Sequence, residues 1–369
     1  MMRRLIPLFC LLLLILLPTL AAFAQDAAPT AAPVLPASHS LVGVSHIPQQ
    51  WNNCGPATLT MGLSYFGIPA DQGPAASWLK PTSEDGNVSP WQLVAYVNEQ
   101  LGTNIRAAKR VGGDLTMLKT LLANDFPVVV EMGYDPEPER LGWMGHYLLL
   151  IGYDDATQQF TSMDSYLGPN QVYSYEHVQE FWEHFNNTYI ALYTTDEEAQ
   201  LMTLLGTNAD PVQNALNALE LNRQRALANA VDPFAWFNLG TNYVMLAGQD
   251  ANAYQYAAVA YDKAREIGLP WRMLWYQFGP YEAYNAVGRY QDVLELARIQ
   301  LNEPGTSQYI EETYYYAGVA REGLGETDRA LNNFAEALRL NPNFTPAAEA
   351  RDSLQARLNG TTTTVSSGG

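Results

Sequence analysis

Residues 48–57 read Pro48-Gln49-Gln50-Trp51-Asn52-Asn53-Cys54-Gly55-Pro56-Ala57, and they set a cysteine at the mouth of a helix. Pro56 presets the first helical turn, and Gly55 has no side chain to obstruct a ligand. Leu59, Leu63 and Phe66 then carry one apolar face to a stop at Gly67. A thiolate at such a helix start feels the positive end of the dipole and nearby backbone N–H groups, which lowers its pKa below that of a free thiol. Just upstream, Gln49 and Gln50 each offer a side-chain N–H to a developing oxyanion, beside the backbone N–H of Cys54. A lone cysteine on an apolar helix is commonly inert packing. These flanks, and a correctly ordered histidine and aspartate downstream, favour a nucleophile instead.

That histidine is His146, in Gly145-His146-Tyr147, which opens an apolar run ending at Gly152. The run reads as a buried strand, a rigid place to hold an imidazole. The next strand-like run, Gln159 to Met163, leads into Asp164-Ser165. On adjacent antiparallel strands Asp164 accepts from the imidazole and fixes its tautomer.

Around this core the chain first alternates helical and strand patterns. Ser89-Pro90 starts a helix to about Leu101, and Asp114 caps another carrying Leu115, Leu118, Leu121 and Leu122. Further strand-like runs cover Pro127 to Met132 and Tyr189 to Tyr193. Helices first, then strands joined by short turns, predict an α+β domain with an antiparallel sheet over 38–197. From Asp210 to Leu358 only helix patterns remain. Tyr314, Ala317-Gly318, Gly325, Ala330, Phe334, Ala337 and Pro342 fall at the spacing of a tetratricopeptide repeat, whose period is about 34 residues. Trp236, Leu239-Gly240, Tyr243, Ala257, Tyr261 and Ala264 form an earlier copy, and Tyr281, Tyr284, Gly288 and Ala297 a weaker middle one. An all-α repeat solenoid over 210–358 is therefore expected, with a protein partner on its concave face and a disordered Thr/Ser/Gly tail over 359–369.

Residues 1–24 carry the layout of a signal peptide: Arg3 and Arg4, an apolar run from Leu5 to Leu17, then Ala22-Phe23-Ala24 as the cleavage site. An Ala/Pro-rich linker follows over 25–37. Cleavage removes Cys10 and leaves Cys54 as the mature chain's only thiol. These signals predict an exported bacterial protein in the periplasm, at the cell surface or outside the cell.

Of the 369 residues 16% are charged and 47% hydrophobic, which excludes disorder as the main state. A net charge of −18 makes nucleic acid a poor partner, because nothing here releases counterions from phosphates. No apolar stretch after the leader is long enough to span a bilayer. The first domain holds most of the acidity, which favours basic peptides on approach. His177, Glu180 and His184 share a helix face, but the apolar Val178, Phe181, Trp182 and Phe185 make them a solvated polar face rather than a metal site. His39 and His46 have no evident partners. No H-E-x-x-H, P-loop or nucleophile elbow occurs, so neither cofactor nor metal is called for. Asn87 and Asn186 begin glycosylation-type triplets.

The block Pro48-Gln49 with Cys54-Gly55-Pro56-Ala57, then Gly145-His146, Gly152-Tyr153-Asp154 and Asp164, resembles the papain superfamily of cysteine peptidases. Within it the chain is most similar to the bacteriocin-processing peptidases and their stand-alone relatives, over about Ser38 to Thr195. The resemblance implies a papain-like α+β domain with Cys54 as nucleophile, His146 as base, Asp164 as its orienter and Gln49 as oxyanion donor. Gln50 stays the alternative donor, and Ser165 departs from the proline the family often carries after this aspartate. Members that cut double-glycine leaders are fused to transporters, and no such segment exists here, so that substrate is not implied. The reading that results is an exported hydrolase cutting peptide bonds, with the repeats recruiting a substrate or partner. Amide transfer would use the same residues. The alternative from another class is a catalytically silent peptidase-like scaffold that holds a peptide.

Overall fold

The computed structural model describes residues 35–135, 142–303 and 305–365; the leader and most of the Ala/Pro-rich linker lie outside the described residues. The first helix, α1 (Cys54–Ser64), is buried from Gly55 to its end. It lies so close to the sheet that a side chain at Gly62 would meet Leu192 at 2.5 Å, which is why glycine stands mid-helix. Asp71 caps α2 (Gln72–Leu79) by accepting from the Gly73 N–H. Ser89 and Gln92 form a reciprocal capping box at α3 (Pro90–Ala95), which continues as a π-helical turn over Tyr96–Gln100. Asp114 caps α4 (Leu115–Ala123), accepting from Met117 N–H at 2.7 Å.

Seven strands form one antiparallel sheet: β1 (Ser38–Ser40), β2 (Ile105–Arg110), β3 (Val128–Tyr134), β4 (Met144–Asp154), β5 (Gln159–Asp164), β6 (Gly168–Ser174) and β7 (Tyr189–Thr194). Their order is β2-β7-β3-β4-β5-β6, and β1 pairs with the far end of β4, where β3 has ended. The central β3 and β4 are buried almost throughout, so their sequences are near-continuous apolar runs. β2 and β6 do not announce themselves. They are edge strands with polar sequences, IRAAKR and GPNQVYS, and edges carry polar side chains that blunt further pairing. α5 (Tyr175–Trp182) connects β6 to β7, and α6 (Glu198–Leu205) follows β7.

The remainder is helical: α7 (Pro211–Ala228), α8 (Pro233–Met245), α9 (Ala253–Ile267), α10 (Met273–Tyr276), α11 (Gly279–Ala286), α12 (Tyr290–Asn302), α13 (Glu311–Gly323), α14 (Thr327–Leu340) and α15 (Thr345–Val365). The small residues and aromatics of the repeat signature meet in pairs. A side chain at Gly240 would stand 2.7 Å from the Tyr261 ring, and one at Gly318 would stand 2.5 Å from the Phe334 ring. Tyr281 and Tyr284 of the weaker middle copy lie on α11 and Ala297 on α12, and the short α10 precedes them. The tail expected to be disordered is helical as far as Val365: Gly360 and the threonines are weak helix formers, but no proline stops the run.

The described residues from Leu35 onward form one compact body, so the helices do not hang free of the sheet layer. Asn186, which begins one glycosylation-type triplet, is buried and exchanges hydrogen bonds with Asn222 and Asn242. Asn87, which begins the other, is buried against Glu312 at 3.3 Å. Both are packing positions that a glycan cannot reach. Asn341 donates to the Leu79 carbonyl and to Glu311, and Gln92 donates to Glu311 as well. Burial and neighbouring Glu311, to which it is hydrogen-bonded, push the Asp85 carboxyl at this seam well above its ordinary range.

Candidate active site

Cys54 opens α1 half-buried, at the floor of a cavity of about 420 Å³. The loop before it is held by Gln72, a residue without any sequence signal. Gln72 Oε1 accepts from the Gln50 N–H at 2.9 Å and from the Asn53 side-chain amide at 3.0 Å, while Gln72 Nε2 donates to the Pro48 carbonyl at 2.8 Å. α1 itself is pinned to β4 by Thr58, whose hydroxyl donates to the Tyr147 carbonyl.

Pairing of β3 with β4 sets His146 opposite Met132, and pairing of β4 with β5 carries Asp164 to the same end of the sheet. His146 Nε2 stands 2.9 Å from Asp164 Oδ1, and the imidazole also bonds the Cys54 thiol. Asp164 is fully buried yet well satisfied. Its Oδ1 accepts from the Tyr166 and Leu167 N–H groups at 2.8 and 3.2 Å, and its Oδ2 accepts from the Tyr173 hydroxyl at 2.6 Å. The structure thus brings Cys54, His146 and Asp164 into one hydrogen-bonded line.

The electrostatics follow from that line. Burial raises the Cys54 thiol, but the His146 hydrogen bond and charge, with backbone N–H groups at Tyr147 and Gly55, outweigh it and bring the pKa below its ordinary value. Burial would lower His146, yet its bonds to Asp164 and Cys54 lift it to about 9. Burial would raise Asp164, and His146, Tyr173 and the Tyr166 N–H hold it instead at about 2. Between the lowered Cys54 pKa and about 9, where His146 loses its proton, the line holds a thiolate, an imidazolium and a carboxylate.

Gln49 and Gln50 both line the cavity, but only Gln49 is tied down through its side chain. The Ser165 hydroxyl donates to Gln49 Oε1 at 2.9 Å, and the Gln49 N–H donates to the Ser165 carbonyl at 2.8 Å. With its oxygen so occupied, the Gln49 amide keeps its N–H groups for another acceptor. Ser165 was visible in the sequence only as a departure from the usual proline.

One wall of the cavity comes from the helical region: Trp275 and Tyr276 of α10, with Thr306 beyond α12. Two glycines allow this approach. A side chain at Gly145, next to His146, would meet the Tyr276 ring at 2.9 Å, and one at Gly86 would meet the Thr306 hydroxyl at 2.6 Å.

Other histidines depart from the sequence reading. His46 Nε2 bonds the Asp164 carbonyl at 2.8 Å, and His39 Nε2 bonds Asp125 at 2.9 Å, so both have partners. His184 is not solvated: it accepts from Trp143 Nε1–H and stacks on Phe234 at 3.7 Å, and burial lowers it to about 4. His177 is half-buried against Tyr173 and Phe181. Among the described residues no cluster of His, Cys, Asp or Glu has the make-up of a metal site.

The model of a family described as Peptidase C39-like matches residues 41–195, the stretch that contains this whole line of residues. Among solved structures, a C39-like peptidase from Bacillus anthracis is similar with a TM-score of 0.34 and 18% identity, over 42% of this chain and 98% of its own. The MamA RS-1 ArsTM double mutant is similar with a TM-score of 0.33 and 16% identity, over 46% of this chain and 90% of its own. No curated protein matches the chain.

Proposed function

We propose that the chain is an exported cysteine peptidase that hydrolyses peptide bonds through Cys54, His146 and Asp164, with Gln49 as oxyanion donor. The observation that carries this reading is the hydrogen-bonded line from a helix-start thiol through a buried imidazole to a buried carboxylate. The family match over 41–195 supports a cysteine peptidase in coarser terms.

In this mechanism the Cys54 thiolate attacks the scissile carbonyl carbon, and the carbonyl oxygen takes up negative charge. The backbone N–H of Cys54 and the amide of Gln49 donate to that oxygen. His146 gives its proton to the departing amine, leaving an acyl group on sulfur. His146, neutral again, then takes a proton from water, which attacks the thioester and restores the thiolate. Asp164 holds the imidazole ring in the orientation both transfers need. The helical region has two roles in this reading: it lines the cleft through Trp275 and Tyr276, and as a repeat solenoid it recruits a substrate or partner.

Labelling of Cys54 by an epoxide-type thiol-protease reagent, read by mass spectrometry, tests the reading. Rapid labelling at neutral pH that falls at least about tenfold in His146→Ala is expected. A rate unchanged by that substitution would mean an unactivated thiol.

Ser165→Ala removes the hydroxyl that orients the Gln49 amide without touching the line of acid, base and nucleophile. About a tenfold drop in kcat with KM unchanged is expected, from steady-state hydrolysis of a fluorogenic peptide. A Ser165→Thr variant that keeps the hydroxyl should recover most of the rate.

A further inference from the structure

A second cavity, of about 700 Å³, lies away from Cys54 between the helices and α3. Its walls are aromatic: Trp91 from α3, Phe278 beside α11, Tyr315 and Tyr316 from α13, and Phe344 before α15. Three carboxyl groups join them, Glu282, Glu312 and Glu322. Among the described residues no Lys, Arg or His lines the cavity, and of the three acids only Glu322 has an ion pair, to Arg357.

Two further observations give the cavity a preference. Glu312 is anchored by its Oε1, which accepts from the Ser89 hydroxyl at 2.9 Å, while its Oε2 is buried and meets no donor. Asn285 donates through its amide to the Tyr316 carbonyl at 3.1 Å, which fixes the orientation of the group and leaves its buried Oδ1 without a donor too. Two acceptors on lining side chains are thus unpaired behind a wall rich in carboxyl groups and aromatic rings. Buried acceptors left without donors are costly, so this wall favours a group that carries N–H donors over one that carries acceptors. Burial also pushes the Glu282 and Glu312 carboxyls above their ordinary range, as befits acids that lack a counter-charge.

A guanidinium or ammonium group meets all these demands. It supplies several N–H donors and no acceptor, neutralises the carboxyl groups, and lies favourably against aromatic faces. We propose that this cavity is a binding site for a cationic side chain, arginine or lysine, carried by an extended peptide segment. Its volume exceeds one side chain and leaves room for flanking backbone. The site gives chemical content to the recruiting role proposed above and rests on that reading, but it does not depend on turnover at Cys54.

The test is calorimetric titration of the full chain carrying Cys54→Ala, so that no peptide is consumed, with Ac-Gly-Gly-Arg-Gly-Gly-NH2. The same peptides with lysine and with the neutral isostere citrulline, and free arginine amide, complete the series. Saturable binding of the arginine and lysine peptides is expected, at least about tenfold tighter than the citrulline peptide and tighter than free arginine amide. Glu282→Gln keeps an acceptor for the Tyr254 hydroxyl, which donates to Glu282 at 3.0 Å, and should weaken arginine-peptide binding about tenfold. Trp91→Leu, at a half-exposed position, should weaken it about fivefold and carries the test if Glu282→Gln lowers Tm. Equal affinity for the arginine and citrulline peptides, or no saturable binding, or binding indifferent to the variants, overturns the proposal. Equal affinity for free arginine amide overturns its peptide part. Failure of Cys54 labelling, in contrast, would overturn the peptidase reading and leave these titrations intact.

Discussion

Cys54→Ala is expected to lower kcat/KM for peptide hydrolysis about ten-thousand-fold or more, and His146→Ala to do nearly the same. The double variant should be no worse than either single one. The reason is that sulfur and imidazole act as one unit: the thiolate exists because His146 holds its proton, and that proton has no role without the nucleophile. Whatever rate survives comes from the oxyanion donors and binding alone. The measurement is a comparison of wild type, both single variants and the double variant on the peptide cleaved fastest from a mixed library. Additive losses would mean that the two residues work independently. No loss in either would remove the peptidase reading altogether.

Asp164→Asn should cost about a hundredfold at neutral pH, less than loss of the nucleophile, and should move the pH profile in a stated direction. Activity requires the Cys54 thiolate and the His146 imidazolium together. The acid limb therefore rises as Cys54 loses its proton, below the ordinary thiol range, and the alkaline limb falls as His146 loses its own at about 9. Against the cost of its burial, His146 is lifted first by its hydrogen bond to Asp164 and then by the bond to Cys54 and the two charges. Removing the carboxylate charge drops the imidazole pKa, so the imidazolium is lost at lower pH and the alkaline limb moves down by roughly one unit or more. Asparagine fits the site: its oxygen still accepts from the Tyr166 N–H, and the Tyr173 hydroxyl can turn to accept from its amide. An intact Tm with an unmoved alkaline limb would deprive Asp164 of its orienting role.

The residues of the site differ in how visible they are in the sequence. Cys54 stands out because the signals around it are local: a proline at the first helical turn, a glycine beside the thiol, an apolar face behind. His146 is legible through the apolar run of β4 that carries it, and Asp164 through its place at the end of the next strand-like run, QFTSMD. Gln72 has no such signal. It lies on a short Gly-Pro-containing helix, and its importance is that its amide reaches back to the loop before Cys54. Ser165 looks like a departure from pattern until its hydroxyl is seen on Gln49. The edge strands β2 and β6 were hidden because neither alternates apolar and polar residues: β2 is mostly buried but through two alanines and an arginine besides Ile105, and β6 is a polar rim strand.

By itself the sequence determined the α+β layer with its antiparallel central strands, the helical second half, and the chain order of thiol, imidazole and carboxylate. These depend on periodicity, caps and flanking residues, which act over a turn or a strand and are written locally. Only the tertiary structure decided that the helices form one body with the sheet, that Trp275 and Tyr276 wall the Cys54 cavity, and that Glu312 and Asn285, which line a second one, each keep a buried acceptor unpaired. Each of those joins residues far apart in the chain, such as Ser89 with Glu312 and Leu79 with Asn341. Such contacts are set by complementary shape and by pairing of buried polar groups across the seam, and neither has a period along the chain.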